Sequence, residues 1–264
     1  MAQKLNLTSS PIGKLLRNIA IPSITGSLFQ TLFNIVDTFY AGKISAEALA
    51  ALAKSFPLYF IIISAGIGIV AGGNSLISNS LGAFNKVAAS IYSYHTLIYA
   101  FILSLIITFI GIFFSYDILK IMGSSIESII LVKQYTDIIF IGTIFFLVLT
   151  SFNAILYSQG DTKTYRNVLI IGLIFNIILN PIFIFGLFFI PAFGVAGLAI
   201  STILIQFVGC LYLFYKVNKN QIKIIFSFYN FTIRRNFLIN IFNQCMPITM
   251  ALFLVALGSY VILF

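Results

Sequence analysis

Charge is what this sequence has least of. Only 8% of its 264 residues are charged, 15 basic and six acidic, where a soluble domain carries about 25%. With 60% of the chain hydrophobic, a soluble fold of this size could not cover its own apolar surface, so the solvent must be lipid. Cysteine is nearly absent. Cys210 and Cys245 both lie in apolar runs, which excludes a disulfide framework or a cysteine metal centre. Histidine occurs once, as His95, and is read as a packing residue. There is no HExxH, G-x-S-x-G or phosphate-binding loop, so zinc proteases, serine hydrolases and ATP-driven engines are excluded. A net charge of +9 would suggest nucleic acid in a soluble protein. No basic stretch is interleaved with aromatics in a polar context, so nucleic acid is not an expected partner, and the excess is assigned to loops at a membrane surface. The start, "MAQKLNLTSSPIGKLLRN", holds no short apolar core with a small-residue cleavage site, and the first hydrophobic run is expected to stay as a signal anchor.

What remains is a series of charge-poor runs, each long enough for a membrane helix of about 20 residues. Span 1 runs near 15–42, span 2 within 55–85, span 3 within 87–116 and span 4 within 134–160. The uncharged run 167–215 is too long for one helix, and the Gly and Pro of "FGLFFIPAFGVAG" divide it into span 5 (167–187) and span 6 (194–215). Span 7 starts near Asn236, and the chain stops at Phe264 inside an apolar stretch, which suggests a fragment of a longer protein. The fold class is all-α and polytopic. The domains are a six-helix lobe at 1–215, a basic linker at 216–235 and the first helix of another lobe at 236–264.

Orientation follows from the basic residues. With the N-terminus inside, eleven lie on the inner side, among them Lys14, Arg17, Lys86, Lys163, Arg166 and Lys216, and four lie outside: Lys43, Lys54, Lys120 and Lys133. That bias predicts a cytoplasmic N-terminus in the cell membrane. Asp137, four residues from Lys133, reads as half of an interfacial ion pair, and "SQGDTKTYRN" (158–167) as a cytoplasmic turn.

The polar residues inside the spans are few. In span 1, Ser23, Ser27, Gln30, Asn34 and Asp37 follow steps of four and three, one helix face. Such a stripe points into a bundle or a wet cavity, since inserting a mid-membrane Asp costs about 2.5–3.5 kcal/mol. The bland alternative is that Asp37, near the outer end beside Lys43, reaches the headgroups. Pro22 marks a bend, either passive or a pivot for a moving helix. In span 5, Asn176 and Asn180 share a face at a height matching Asp37, as a functional pair or as glue between helices. Pro181 deprives the carbonyl of Ile177 of its helical donor, leaving an oxygen ligand. Asn153 belongs to the inner half of span 4.

Three stretches resemble one family. "IPSITGSLFQTLFNIVDTFYAGKISAEALAAL" (21–52), "NAILYSQGDTKT" (153–164) and "NPIFIFGLFFIPAFGVAGLAISTILIQ" (180–206) are similar to the first helix, the end of the fourth and the fifth-to-sixth hairpin of the multidrug and toxic compound extrusion (MATE) family. The resemblance implies two six-helix lobes around a substrate cavity, monomeric when full length. It implies export of cationic or amphipathic small molecules from a bilayer in exchange for H⁺ or Na⁺, with no cofactor and no enzymatic activity. Asp37 falls on the family's acidic position, Pro22 on its bend, and Asn176 and Asn180 on its fifth-helix pair. Tyr135 and Thr202 resemble members of the same cation-coupling network. Gln30, Asn34 and Asn153 are expected to line the substrate cavity. Many relatives carry Asp where this chain has Asn180. The single carboxylate favours H⁺ over Na⁺ at Asp37, or coupling through the other lobe. A lipid-linked oligosaccharide or lipid flippase of the same superfamily is the alternative. The lack of cations inside spans 1, 2, 3, 5 and 6 weighs against it. An intramembrane enzyme would need paired acids or a nucleophile with its base, and the chain offers one deep acid and one lone histidine.

Overall fold

The computed structural model describes residues 11–121, 125–187, 189–219 and 233–262. Among them are seven helices: α1 (Ile12–Ile44), α2 (Ala46–Gly82), α3 (Lys86–Ile121), α4 (Ile126–Ser158), α5 (Lys163–Phe185), α6 (Val195–Lys219) and α7 (Arg235–Ile262). Each is long and apolar enough to cross a membrane, and the chain is a multi-pass membrane protein. Lys4, Lys223 and most of the expected basic linker lie outside the described residues.

The helices outrun the charge-free spans because a membrane helix continues into the headgroup layer, where charge costs little. Helix α2 begins nine residues before the expected Ser55. Ser45 caps it by accepting the Ala48 N–H at 3.0 Å, and Glu47 sits in the positive first turn. Ser125 caps α4 in the same way, accepting from Ser128 at 3.3 Å. Between α4 and α5, Gly160 takes φ +77° to close α4. Asp161 then accepts the Thr164 N–H at 3.0 Å to open α5, so the expected turn is present. Lys133 and Asp137 form the expected ion pair at 2.9 Å.

Helices α2 and α4 form the centre. Helix α4 packs on α2, α3 and α6, while α1 lies against α5 and α2, and α7 lies against α2 and α3. The apolar core has two clusters. One, around Ile62, Ile69, Leu147 and Leu198, fills the half containing the α1–α2 turn. The other, around Ile77, Ile155, Leu156 and Leu213, fills the opposite end. Helix α3 turns Phe101, Leu105, Phe109 and Phe113 outward, where lipid replaces protein as their apolar partner.

Small residues set the closest approaches. Gly68 and Gly72 share one face of α2 and let the backbone of α7 pass at Cys245. This is the small-xxx-small arrangement that substitutes for a hydrophobic driving force inside lipid.

Candidate functional site

The deepest polar cluster forms where α1, α5 and α6 meet. Asp37 is 6% exposed. Its Oδ1 accepts Nδ2–H bonds from Asn176 and Asn180, both at 2.8 Å. The two asparagines are four residues apart, so α5 presents both amides to one carboxylate. Each bond to a charged acceptor contributes about 1.5–3 kcal/mol, which offsets part of the cost of burial. Among the described residues no cation pairs with Asp37, since the one salt bridge is Lys133–Asp137. A buried carboxylate held by neutral donors alone is poised to bind a proton or another cation.

Ser201 sets the direction of one amide. Its hydroxyl donates to Asn180 Oδ1, which leaves Asn180 Nδ2 for Asp37. The hydroxyl also lies 2.9 Å from the Leu198 carbonyl, and its single proton serves one acceptor at a time. Two oxygens beside the acid have no partner, Asn176 Oδ1 and Thr202 Oγ1, although both residues are buried. Thr202 is near enough to act on the carboxyl electrostatically but makes no hydrogen bond of acceptable geometry. Tyr135, also buried, lies within electrostatic reach of Asp37.

The polar stripe of α1 divides. At 100° per residue Gln30 and Asp37 lie on one edge and Ser27 and Asn34 on the other. The first edge turns inward: Asp37 is buried and Gln30 half-buried. Ser27 and Asn34 are exposed, and the Asn34 carbonyl accepts the Thr38 hydroxyl at 2.8 Å. Asn153 is buried on α4 with Oδ1 unpartnered, apart from the Asp37 cluster.

The two prolines have matching surroundings. Pro22 removes the N–H that would bond the Asn18 carbonyl, and the Thr162 hydroxyl donates to that oxygen at 3.3 Å. Pro181 does the same to the Ile177 carbonyl, which accepts the Tyr40 hydroxyl at 3.1 Å. The oxygen expected to be available as a ligand is therefore occupied. Each freed carbonyl is satisfied from the other side of the α1–α5 seam, so two breaks in helical bonding become two ties between helices. Sequence reasoning missed Tyr40, Thr162 and Ser201. Only the last carried a signal, as a second hydroxyl beside Thr202 in an apolar helix.

His95 is fully buried, as a packing residue would be, but it also bonds. Nδ1 lies 2.8 Å from the Ile91 carbonyl, which requires Nδ1 to carry the proton. Nε2 then accepts the backbone N–H of Arg234 at 2.9 Å, one residue before α7. The ring packs against Phe237 at 5.5 Å between centroids, tilted by 35°.

Comparison with known proteins places this arrangement. The MatE family model matches residues 22–182. The FAD transporter of Shewanella oneidensis is 30% identical over 77% of this chain and 45% of its own length. The probable multidrug resistance protein YoeA of Bacillus subtilis is 31% identical over 70% of this chain and 40% of its own length. Among solved structures, an outward-facing multidrug resistance MATE family transporter superposes with TM-score 0.82 at 29% identity, over 90% of this chain and 52% of that one. A transporter of the MOP superfamily from Pyrococcus furiosus superposes with TM-score 0.85 at 27% identity, over 96% of this chain and 55% of that one. The chain spans about half the length of the relatives it matches. With the family model reaching from Pro22 past Pro181, and the helices superposing on solved transporters, the chain belongs to the MatE family of multidrug and toxic compound extrusion transporters.

Proposed function

We propose that this chain is the N-terminal lobe, with the first helix of the second lobe, of a cation-coupled exporter of amphipathic or cationic small molecules. In this reading Asp37 is the coupling acid. The observation that carries it is the buried carboxylate of Asp37, held by Asn176 and Asn180 at 2.8 Å with no cationic partner among the described residues. A proton arriving from outside neutralises the carboxylate and weakens its two charge-assisted bonds. That loosens α1 from α5 above the Pro22 bend, and the lobes shift between outward- and inward-facing states. The family's transport needs no cofactor.

A proton suits the site better than Na⁺. The free oxygens of Asn176 and Thr202 beside Asp37 are Na⁺-compatible donors, but one carboxylate supplies little charge for a metal ion. The basic-residue bias supports a cytoplasmic N-terminus in the cell membrane. Exposed Asn34 and Ser27 would then face the substrate cavity between the lobes, with Asn153 as further polar lining, whereas Gln30, half-buried on the inward edge of α1, turns into the lobe below Asp37 and not toward that cavity.

A second reading of the substrate is a flavin dinucleotide, from the likeness to the Shewanella protein. Among the described residues the buried carboxyl deep in the bundle is Asp37, which repels a polyanion and favours a cation. The test uses the whole two-lobe transporter in cells loaded with ethidium. Efflux should stop when the proton gradient is collapsed, persist when the Na⁺ gradient is collapsed, and be lost in Asp37→Asn. Proton-dependent efflux at the wild-type rate in Asp37→Asn would reject the role of the acid. Wild-type cells that export FAD but no dye would move the substrate to the second reading.

A further inference from the structure

Directly beneath the acid, toward the end of the bundle that carries Lys163, Arg166 and Lys216, lies a cavity of about 40 Å³. It is lined by residues of α1, α2, α4, α5 and α6, among them the polar Gln30, Tyr59, Tyr165 and Gln206 and the apolar Phe146 and Leu149. A water needs about 10–15 Å³ of such space and two to four polar partners, so the cavity has room for about three or four. None of these four side chains has a hydrogen-bond partner among the described residues. Their bonding capacity therefore points into the shared space.

The cavity is the continuation of the acid's own surroundings. On α1, Gln30 is seven residues from Asp37, about 10 Å deeper on the same face. On α5, Tyr165 is eleven residues from Asn176, about 16 Å deeper and within roughly 20° of the same face. Between them Gly172 lets α6 come close on the cavity wall: a Cβ there would meet Ile205 Cγ2 at 3.2 Å, and both residues line the cavity. On α6, Gln206 is one turn below Thr202, whose hydroxyl stands unpartnered beside the acid. Tyr59 of α2 lies within electrostatic reach of both Asp37 and Tyr165, so it spans the interval. The titratable groups that face Asp37 are Tyr59 of α2 and Tyr135 of α4, while α5 and α6 bring only amides and hydroxyls.

We propose that this cavity is a water-filled proton passage within the lobe, running from Asp37 past Gln30, Tyr59 and Gln206 to Tyr165 and the basic end of the bundle. The inference rests on Asp37 as the coupling acid. In the release step the O–H bond of the neutral carboxyl breaks, its electron pair stays on the carboxylate, and the proton forms a bond to a cavity water. The charge then moves from water to water and leaves as hydronium at Tyr165. The exported compound never enters this path, so proton and substrate use separate routes.

The test uses the two-lobe transporter in liposomes with ethidium as the probe. One variant removes the polar tips, Gln30→Leu with Gln206→Leu. A second fills the space, Gly172→Val. Each is assayed for uptake driven by a pH gradient and for ethidium counterflow at equal pH. Counterflow exchanges substrate for substrate and needs no proton release. Gradient-driven transport should fall at least tenfold in both variants while counterflow stays within twofold of wild type. Gradient-driven transport at the wild-type rate would overturn the passage, and so would a parallel loss of both activities. Asp37→Asn, run alongside, separates the two ideas. If it abolishes gradient-driven transport while the cavity variants do not, only the passage fails. If it leaves that transport intact, the role of the acid fails first.

Discussion

Gly72→Ala tests how α7 is attached. Helix α7 packs on α2 and α3, and its contact with α2 runs through Gly68 and Gly72. A Cβ at Gly72 would stand 2.8 Å from the backbone nitrogen of Cys245 and 2.9 Å from the Gln244 carbonyl carbon. Ordinary contact begins near 3.5 Å. A rotamer change at Cys245 would move its sulfur but not its backbone, so α7 must retreat by roughly half an ångström or more. Overpacking of this kind costs about 1–3 kcal/mol. Cys245 reports the result, because it is fully buried in the seam and a thiol reagent reaches it only when the seam opens. On a Cys210→Ser background, labelling of Cys245 in detergent should accelerate about 5–150-fold, the factor corresponding to that energy. Gly13→Ala is the control, since nothing lies within 4 Å of a Cβ there. Equal labelling rates in the two variants would refute the account of the seam.

The hydrogen bonds yield further expectations. Tyr40→Phe and Thr162→Val should each lower stability in thermal melts by about 0.6–1.7 kcal/mol, the range for interhelical bonds in membranes. In a Pro22→Ala background the second loss should vanish, because the substituted residue again offers an N–H to the Asn18 carbonyl. A full loss in that background would show that the hydroxyl does something else. His95→Phe keeps the ring but removes the acceptor for the Arg234 N–H. Hydrogen exchange at the start of α7 should rise by the equivalent of about 1–3 kcal/mol, and unchanged exchange would exclude the capping role.

The sequence alone determined the solvent and the helical class, and it singled out Asp37 as the acid within the spans that needs an account. Charge scarcity requires lipid, lipid requires helices whose backbone bonds are internal, and one carboxylate among apolar residues has to be accounted for. Asn176 and Asn180 were legible as candidates because a four-residue spacing is a local property of a helix. Helix ends were less legible, since charge-free runs mark the hydrocarbon layer and α2 starts well above it at Ala46. Only tertiary structure decided which edge of the α1 stripe turns inward, because a difference of about 60° along one helix means nothing until α5 stands beside it. The partners of the freed carbonyls were likewise invisible: Tyr40 and Ile177 are 137 residues apart, and Thr162 and Asn18 are 144 apart. The space beneath Asp37 belongs to no single helix. Five helices each contribute a residue whose tip means little alone, and the cavity exists because their packing leaves it.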